Sequence, residues 1–146
     1  MQHHDPARLC QRFRARQGGS LVVELVLVLP VLLLFVFISI EMSRMVWSYA
    51  TLMHATREGA RFALVRGQDS PAPASLEDIR QKVLFYAVGL DTGRVVVDVL
   101  PAWPAGSSPG AVFRVQASYE FVFVWPSIIS LSPVQMQASS EMSVSQ

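Results

Sequence analysis

Residues 21–40 form an almost unbroken apolar run, in which Glu24 is the one charged residue. Since an α-helix rises 1.5 Å per residue, a helix of this length spans about 30 Å, the thickness of the hydrocarbon core of a bilayer. The run therefore predicts a membrane-spanning helix. The alternative is a buried core helix of a soluble protein, but a chain this short has little material to cover such a helix on all sides.

The residues that flank the run predict its orientation. Four arginines precede it against a single acidic residue, Asp5. Basic residues stay on the cytoplasmic side, so we expect a cytoplasmic N-terminus and an extracytoplasmic C-terminal part. A cleaved signal peptide is the competing interpretation, but the run ends in FISIEMSRMVW, which has no cleavage site of small residues. The arginines are Arg8, Arg12, Arg14 and Arg16.

The helical pattern continues beyond the apolar run. Apolar residues recur at intervals of three and four up to Leu64, and Gly67 ends the pattern. We therefore predict one long helix over 20–66, with the span at 21–40 and an amphipathic part at 41–66. Pro30 lies inside the span, where it should kink or loosen the helix by freeing the carbonyl of Val26. The expected apolar face is Met42, Met45, Val46, Tyr49, Leu52, Met53, Ala60, Ala63 and Leu64.

After a turn-rich linker at 67–75, residues 76–146 predict a small extracytoplasmic α+β domain. Ser75 followed by Asp78 is a helix-start signal, Gly89 ends the helix, and its apolar face is Leu76, Ile79, Val83, Tyr86 and Ala87. Strands are expected at 94–100, 113–123 and 134–144, the last two with strict alternation. A mostly antiparallel sheet of three strands, with one face against helices, is the simplest packing. The loop 125–133 is unusually apolar; it either folds back on the core or touches a partner or the membrane.

Composition narrows the function classes. The chain is 51% hydrophobic with a net charge of +1, which excludes a disordered protein and does not favour binding to nucleic acid. With one cysteine and three histidines, of which only His54 lies beyond the basic leader, we expect no metal site. Because no catalytic, phosphate-binding or cofactor motif is present, we expect a protein that is not an enzyme, without a cofactor or a small-molecule substrate.

The junction between leader and span carries the most informative motif. Residues 16–25 read RQGGSLVVEL, in which Ser20 follows Gly19 and Glu24 is the fifth residue after that glycine. This motif resembles the processing site of type IV prepilins, which implies that a membrane-embedded prepilin peptidase cuts between Gly19 and Ser20. Glycine suits such a cut because it leaves the backbone extended and accessible. The alternative is a flexible Gly-Gly hinge with Ser20 as the helix N-cap.

Glu24 needs a separate explanation, because ionisable groups inside a membrane are costly and tend to be functional. It lies four residues after Ser20, on the same helical face. After the cut, the new amino group of Ser20 would be a cation within reach, either in the same chain or in a neighbouring subunit, as the resemblance to pilins implies. The alternative is a carboxylate near the membrane edge that extends to the headgroups.

Residues 16–67 as a whole resemble the TadE-like family, minor pilins of the tight-adherence (Tad) pilus. The matching features are Glu24, Pro30, Glu41 and the run 57–61, REGAR. We expect Gly59 to permit a close helix contact and Glu58 to pair with Arg57 or Arg61. The resemblance implies a pilin-like subunit in the cytoplasmic membrane that works with the peptidase, other pilin-like subunits, the assembly platform and the lipid bilayer. The alternative function is an unprocessed single-pass anchor that carries a small extracytoplasmic binding module.

Overall fold

The computed structural model describes residues 6–67, 70–104, 110–124 and 132–143, with side chains from Gly19 onward. Its chain divides into two compact units, Met1–Ile40 and Glu41–Gln146. The described elements are the helices α1, Pro6–Val65, and α2, Leu76–Tyr86, and the strands β1, Val95–Leu100, β2, Val112–Phe121, and β3, Val134–Ser143. A single 3₁₀ turn, Thr92–Arg94, leads into β1.

Helix α1 begins 14 residues earlier than residue 20, the start that the sequence predicts. Proline is favoured in the first helical turn, where its missing N–H costs nothing, and Pro6 is the first residue of α1. The leader contains four arginines and three glutamines, residues that favour a helix, and α1 runs on through Gly18 and Gly19. The expectation of extended backbone at Gly19 is therefore wrong for this structure. Ser20 lies inside α1 and is not an N-cap.

The second unit is α+β, as predicted. Its three strands lie in the order β1-β2-β3, and both pairings are antiparallel. The second predicted strand, 113–123, extended too far, because β2 ends at Phe121. Phe123 lies beyond the strand and packs edge-on against the Phe121 ring, with 5.3 Å between centroids. Residues 125–131 of the apolar loop lie outside the described residues.

The core of the second unit lies between one face of the sheet and the two helices. Alternate residues of β2 point into it, and α2 contributes Ile79 and Val83, both fully buried. The predicted face of α1 is confirmed in part: Leu52, Ala60 and Ala63 are fully buried, and Met45, Met53 and Leu64 pack against the core. Met42, Val46 and Tyr49 are exposed, contrary to the prediction, and the small residues Ser48, Ala55, Thr56 and Gly59, which were not part of the predicted face, are buried.

Helix α2 is capped at its start as the sequence signal indicated. The Asp78 N–H donates to the Ser75 hydroxyl at 3.1 Å, and the Ser75 N–H donates to the Asp78 carboxylate at 2.9 Å. This reciprocal pair is a complete capping box, although aspartate replaces the usual Glu or Gln. Leu76, predicted on the apolar face, is 37% exposed because it lies in the first turn, outside the core.

Candidate processing and docking site

Gly19 and Ser20 lie side by side on the exposed surface of α1. A Cβ atom built on Gly19 meets no heavy atom within 4 Å, so no contact inside this chain requires a glycine there. A helical glycine nevertheless costs about 1 kcal/mol relative to alanine. The glycine at this position is thus unexplained by packing, and the two adjacent glycines Gly18 and Gly19 lower the cost of unwinding α1 at this point.

Glu24 is also exposed on α1, one turn after Ser20. The two residues share a side of the helix with Val23, Leu27 and Val28. The side therefore presents one carboxylate within an otherwise apolar surface. At the i, i+4 spacing, a positive charge at Ser20 lies within reach of the Glu24 carboxylate.

Pro30 lies within α1, which continues on both sides of it as far as Val65. The proline therefore does not end the helix. Its N–H is missing, so the carbonyl of Val26 lacks its usual intrahelical donor. Such an interruption is tolerated in membrane helices.

The segment that follows Gly19 is long and apolar enough to cross a membrane. None of its most apolar 18-residue window is buried by the rest of the described chain. This exposure is opposite to what a core helix of a soluble protein shows, and it agrees with membrane anchoring by a single N-terminal helix. The burial of these apolar side chains must come from lipid or from other chains.

Glu41, the first residue of the second unit, holds two contacts that the sequence did not reveal. One carboxylate oxygen accepts from the Arg44 guanidinium at 2.8 Å, and the other accepts from the Val124 backbone N–H at 2.9 Å. Arg44 also stacks over the Phe121 ring at 5.4 Å. Glu41 therefore ties the start of this unit to the chain just after β2.

The run 57–61 owes its structural importance to Gly59 rather than to its charges. A Cβ on Gly59 would overlap the Val83 side chain of α2, so glycine is what lets the two helices approach. Within the described residues, Glu58 forms no ion pair with Arg57 or Arg61, contrary to expectation. Surface pairs of this kind contribute only about 0.3–0.5 kcal/mol, too little to hold long side chains in place.

His54, beside the core on α1, packs edge-on against Tyr86 with 5.8 Å between ring centroids. This contact gives His54 a packing role. The described residues contain no group of three or more His, Cys, Asp or Glu side chains arranged to hold a metal ion. The predicted processing and docking residues Gly19, Ser20 and Glu24 lie together on one side of α1.

A comparison with known protein families gives a match over the segment that contains this surface. Residues 19–61 match the family model of the TadE-like proteins. This match confirms the resemblance seen in the sequence, and it covers Glu24, Pro30, Glu41 and Gly59. No curated protein and no solved structure gives a significant match to the chain.

Proposed function

We propose that this TadE-like chain is a pilin-like minor subunit that takes part in assembly of a tight-adherence type IV pilus. The observation that carries the proposal is the position of the family match, which begins at Gly19 and runs through the apolar part of α1. A TadE-like segment supports an association with the Tad pilus, and the exposed apolar helix supports anchoring in a membrane. In this proposal the protein has a structural role in assembly and no catalytic one.

A prepilin peptidase is proposed to cut between Gly19 and Ser20. The open space around Gly19 leaves access for an enzyme, and its glycine is not required by packing in the chain. Two adjacent helical glycines lower the cost of unwinding the segment into the extended form that a peptidase binds. The leader would then leave with Arg8, Arg12, Arg14 and Arg16, and the mature chain would begin at Ser20.

Glu24 is proposed to guide docking between subunits. The cut creates an amino group on Ser20, and a carboxylate inside lipid is stabilised by a cationic partner. Ser20 and Glu24 lie on the same exposed side of α1, so the pair can form within one chain or across two chains. The proposed partners are other pilin-like subunits and the assembly platform. The proposed location is the cytoplasmic membrane, with the N-terminus in the cytoplasm.

The experiment that tests processing compares the two adjacent glycines in cells that contain the cognate peptidase. Gly19→Leu should block the cut, because a bulky side chain enters the peptidase site next to the scissile bond. Gly19→Ala should allow partial cutting. Gly18→Leu is the matched control, since it adds the same side chain one residue away and should still be cut.

Mass spectrometry of the purified protein gives the readout. The wild type should begin at Ser20, and Gly19→Leu should keep Met1 or the residue after it. An intact wild-type leader, or a cut beyond Ile40, would contradict the pilin proposal and support an unprocessed membrane anchor that carries a binding module.

A further inference from the structure

The beginning of the second unit gathers exposed apolar residues from three separate parts of the chain. Trp47 lies on α1, Val88 follows α2, and Val124 follows β2. Their exposed fractions are 52%, 68% and 60%. We call Val46, Trp47, Val88 and Val124 the proximal rim.

Two contacts hold these segments close to the first residues of the unit. The Val124 N–H donates to Glu41 at 2.9 Å, and Glu41 is bonded directly to Ile40, the last residue of the apolar run. The Trp47 ring lies so close to Gly89 that a Cβ there would overlap it. Gly89 also has a φ of +78°, which glycine adopts without strain. These contacts fix Val124 and Val88 beside residues 41–47.

Trp47 follows the apolar run closely along the chain. Trp47 is seven residues after Ile40, which corresponds to about 10 Å of helix. Its side chain leans towards the helix N-terminus, so the ring lies closer to Ile40 than its Cα does. The headgroup layer on each side of a bilayer is about 5–8 Å thick. Trp is enriched in that layer because its ring is apolar and its N–H is polar.

We propose that the proximal rim lies in the headgroup layer of the bilayer that α1 crosses, as a second membrane contact of the protein. Val46, Val88 and Val124 would bury their side chains at the boundary of headgroups and acyl chains. The Arg44 guanidinium, 43% exposed, faces the phosphate layer from the same end of the unit. The proposal rests on membrane anchoring by α1 and does not depend on a role in the pilus.

Spin labels at matched valines test this proposal on the full chain in phosphatidylcholine–phosphatidylglycerol vesicles. Cys10→Ser removes the native thiol, and nitroxides are attached to Val88→Cys, Val124→Cys and, as a control, Val112→Cys. Val112 is also an exposed valine, at 58%, but it begins β2. It therefore lies about 30 Å from the end of that strand. Leu32→Cys in the apolar run reports on the span itself.

Collision with oxygen, which concentrates in lipid, is compared with collision with a water-soluble nickel chelate. In the vesicles, labels at 88 and 124 should collide less often with the nickel chelate, and more often with oxygen, than the label at 112 does. Equal nickel access at 88, 124 and 112 would overturn the proposal. Dipolar broadening at 88 and 124 that disappears on dilution with lipid would also overturn it, because a second copy would then cover the rim. If the label at 32 is not in lipid, anchoring by α1 fails and the rim proposal fails with it.

Discussion

Gly59 and Gly19 show how the same residue type has opposite explanations in one helix. Gly59 is required by packing, since a Cβ there would overlap the side chain of Val83. Gly19 faces open space, so its explanation lies outside the chain. The sequence could identify both as glycines in a helical pattern. Only the neighbouring atoms separate a packing role from a candidate processing role.

We expect Gly59→Ala to destabilise the second unit by about 1–3 kcal/mol, the usual cost of overpacking a core. The expected reason is the overlap with Val83, so the effect should be much smaller in a Val83→Ala background, where the overlapping methyl groups are gone. Denaturant unfolding of the full chain in detergent measures the double-mutant cycle. Additive losses in the double variant would show that the overlap is not the cause.

Glu24→Gln tests the docking role of the carboxylate. Glutamine keeps the size and the hydrogen-bonding capacity but removes the charge, so it separates electrostatics from packing. We expect cleavage and membrane insertion to persist, while pilus assembly and co-purification with other pilus components are lost. The measurements are the mature N-terminus, membrane fractionation and counts of surface pili.

A simple membrane anchor predicts the opposite result for that variant. Losing an intramembrane charge should then make insertion slightly easier and change nothing else. Normal pili together with unchanged co-purification would contradict a pairing role for Glu24. Leu25→Asn is a useful control, because it adds the same amide group at the neighbouring position while leaving Glu24 in place.

At the scale of elements, α2 is held by its cap and by its contact with β1. The Ser75 backbone N–H and hydroxyl donate hydrogen bonds to the Asp78 carboxylate, and these bonds hold its pKa below the ordinary value. The Arg80 guanidinium donates to the Val97 carbonyl of β1 at 3.3 Å. The Trp103 indole N–H donates to the Ala74 carbonyl at 2.7 Å, just before the cap. The start of α2 is therefore fixed by both local and distant contacts.

The lowered pKa of Asp78 predicts a pH dependence of stability. Because the carboxylate is more acidic in the folded state, its stabilising effect is complete above the unfolded pKa of about 3.9 and is lost as the pH falls through the lower folded pKa. Asp78→Asn should therefore flatten the decline of stability on the acid side. Thermal unfolding of the full chain, followed from neutral pH down to about pH 2–3, measures this decline, because the range includes the unfolded pKa.

Asp98→Asn is the matched control for this experiment, since Asp98 is an exposed carboxylate on β1 that makes no cap. An identical acid profile for wild type and Asp78→Asn would contradict the assignment. Ser75→Ala removes the other half of the cap and should cost about 1 kcal/mol at neutral pH.

At the scale of the whole molecule, the distribution of charge around the apolar run predicts topology. Four arginines before the run should hold the N-terminus in the cytoplasm, so a reporter that is active only outside the cytoplasm should work when fused after Gln146. Activity assays in intact cells measure this. A matched fusion of a reporter that works only in the cytoplasm should be inactive, and activity there would show the reverse orientation.

The sequence alone was sufficient for features that depend on local spacing. The apolar run 21–40 predicts a span from its length, and alternation in β2 and β3 predicts a sheet because side chains of a strand point alternately to two faces. Ser75 and Asp78 likewise predicted the start of α2, because a helix cap joins residues three positions apart. The family match lies over this locally patterned segment.

Only the tertiary structure decided which residues of the predicted α1 face reach the core. Leu52, Ala60 and Ala63 are buried as predicted, but Met42, Val46 and Tyr49 are exposed. Helix α2 approaches α1 closely over Gly59, and such an approach is possible only along small side chains. The link from Glu41 to Val124 was also beyond the sequence, because it joins residues 83 positions apart. Hydrophobic periodicity records which residues avoid water, and for a protein that meets lipid it does not distinguish burial in its own core from burial in the membrane.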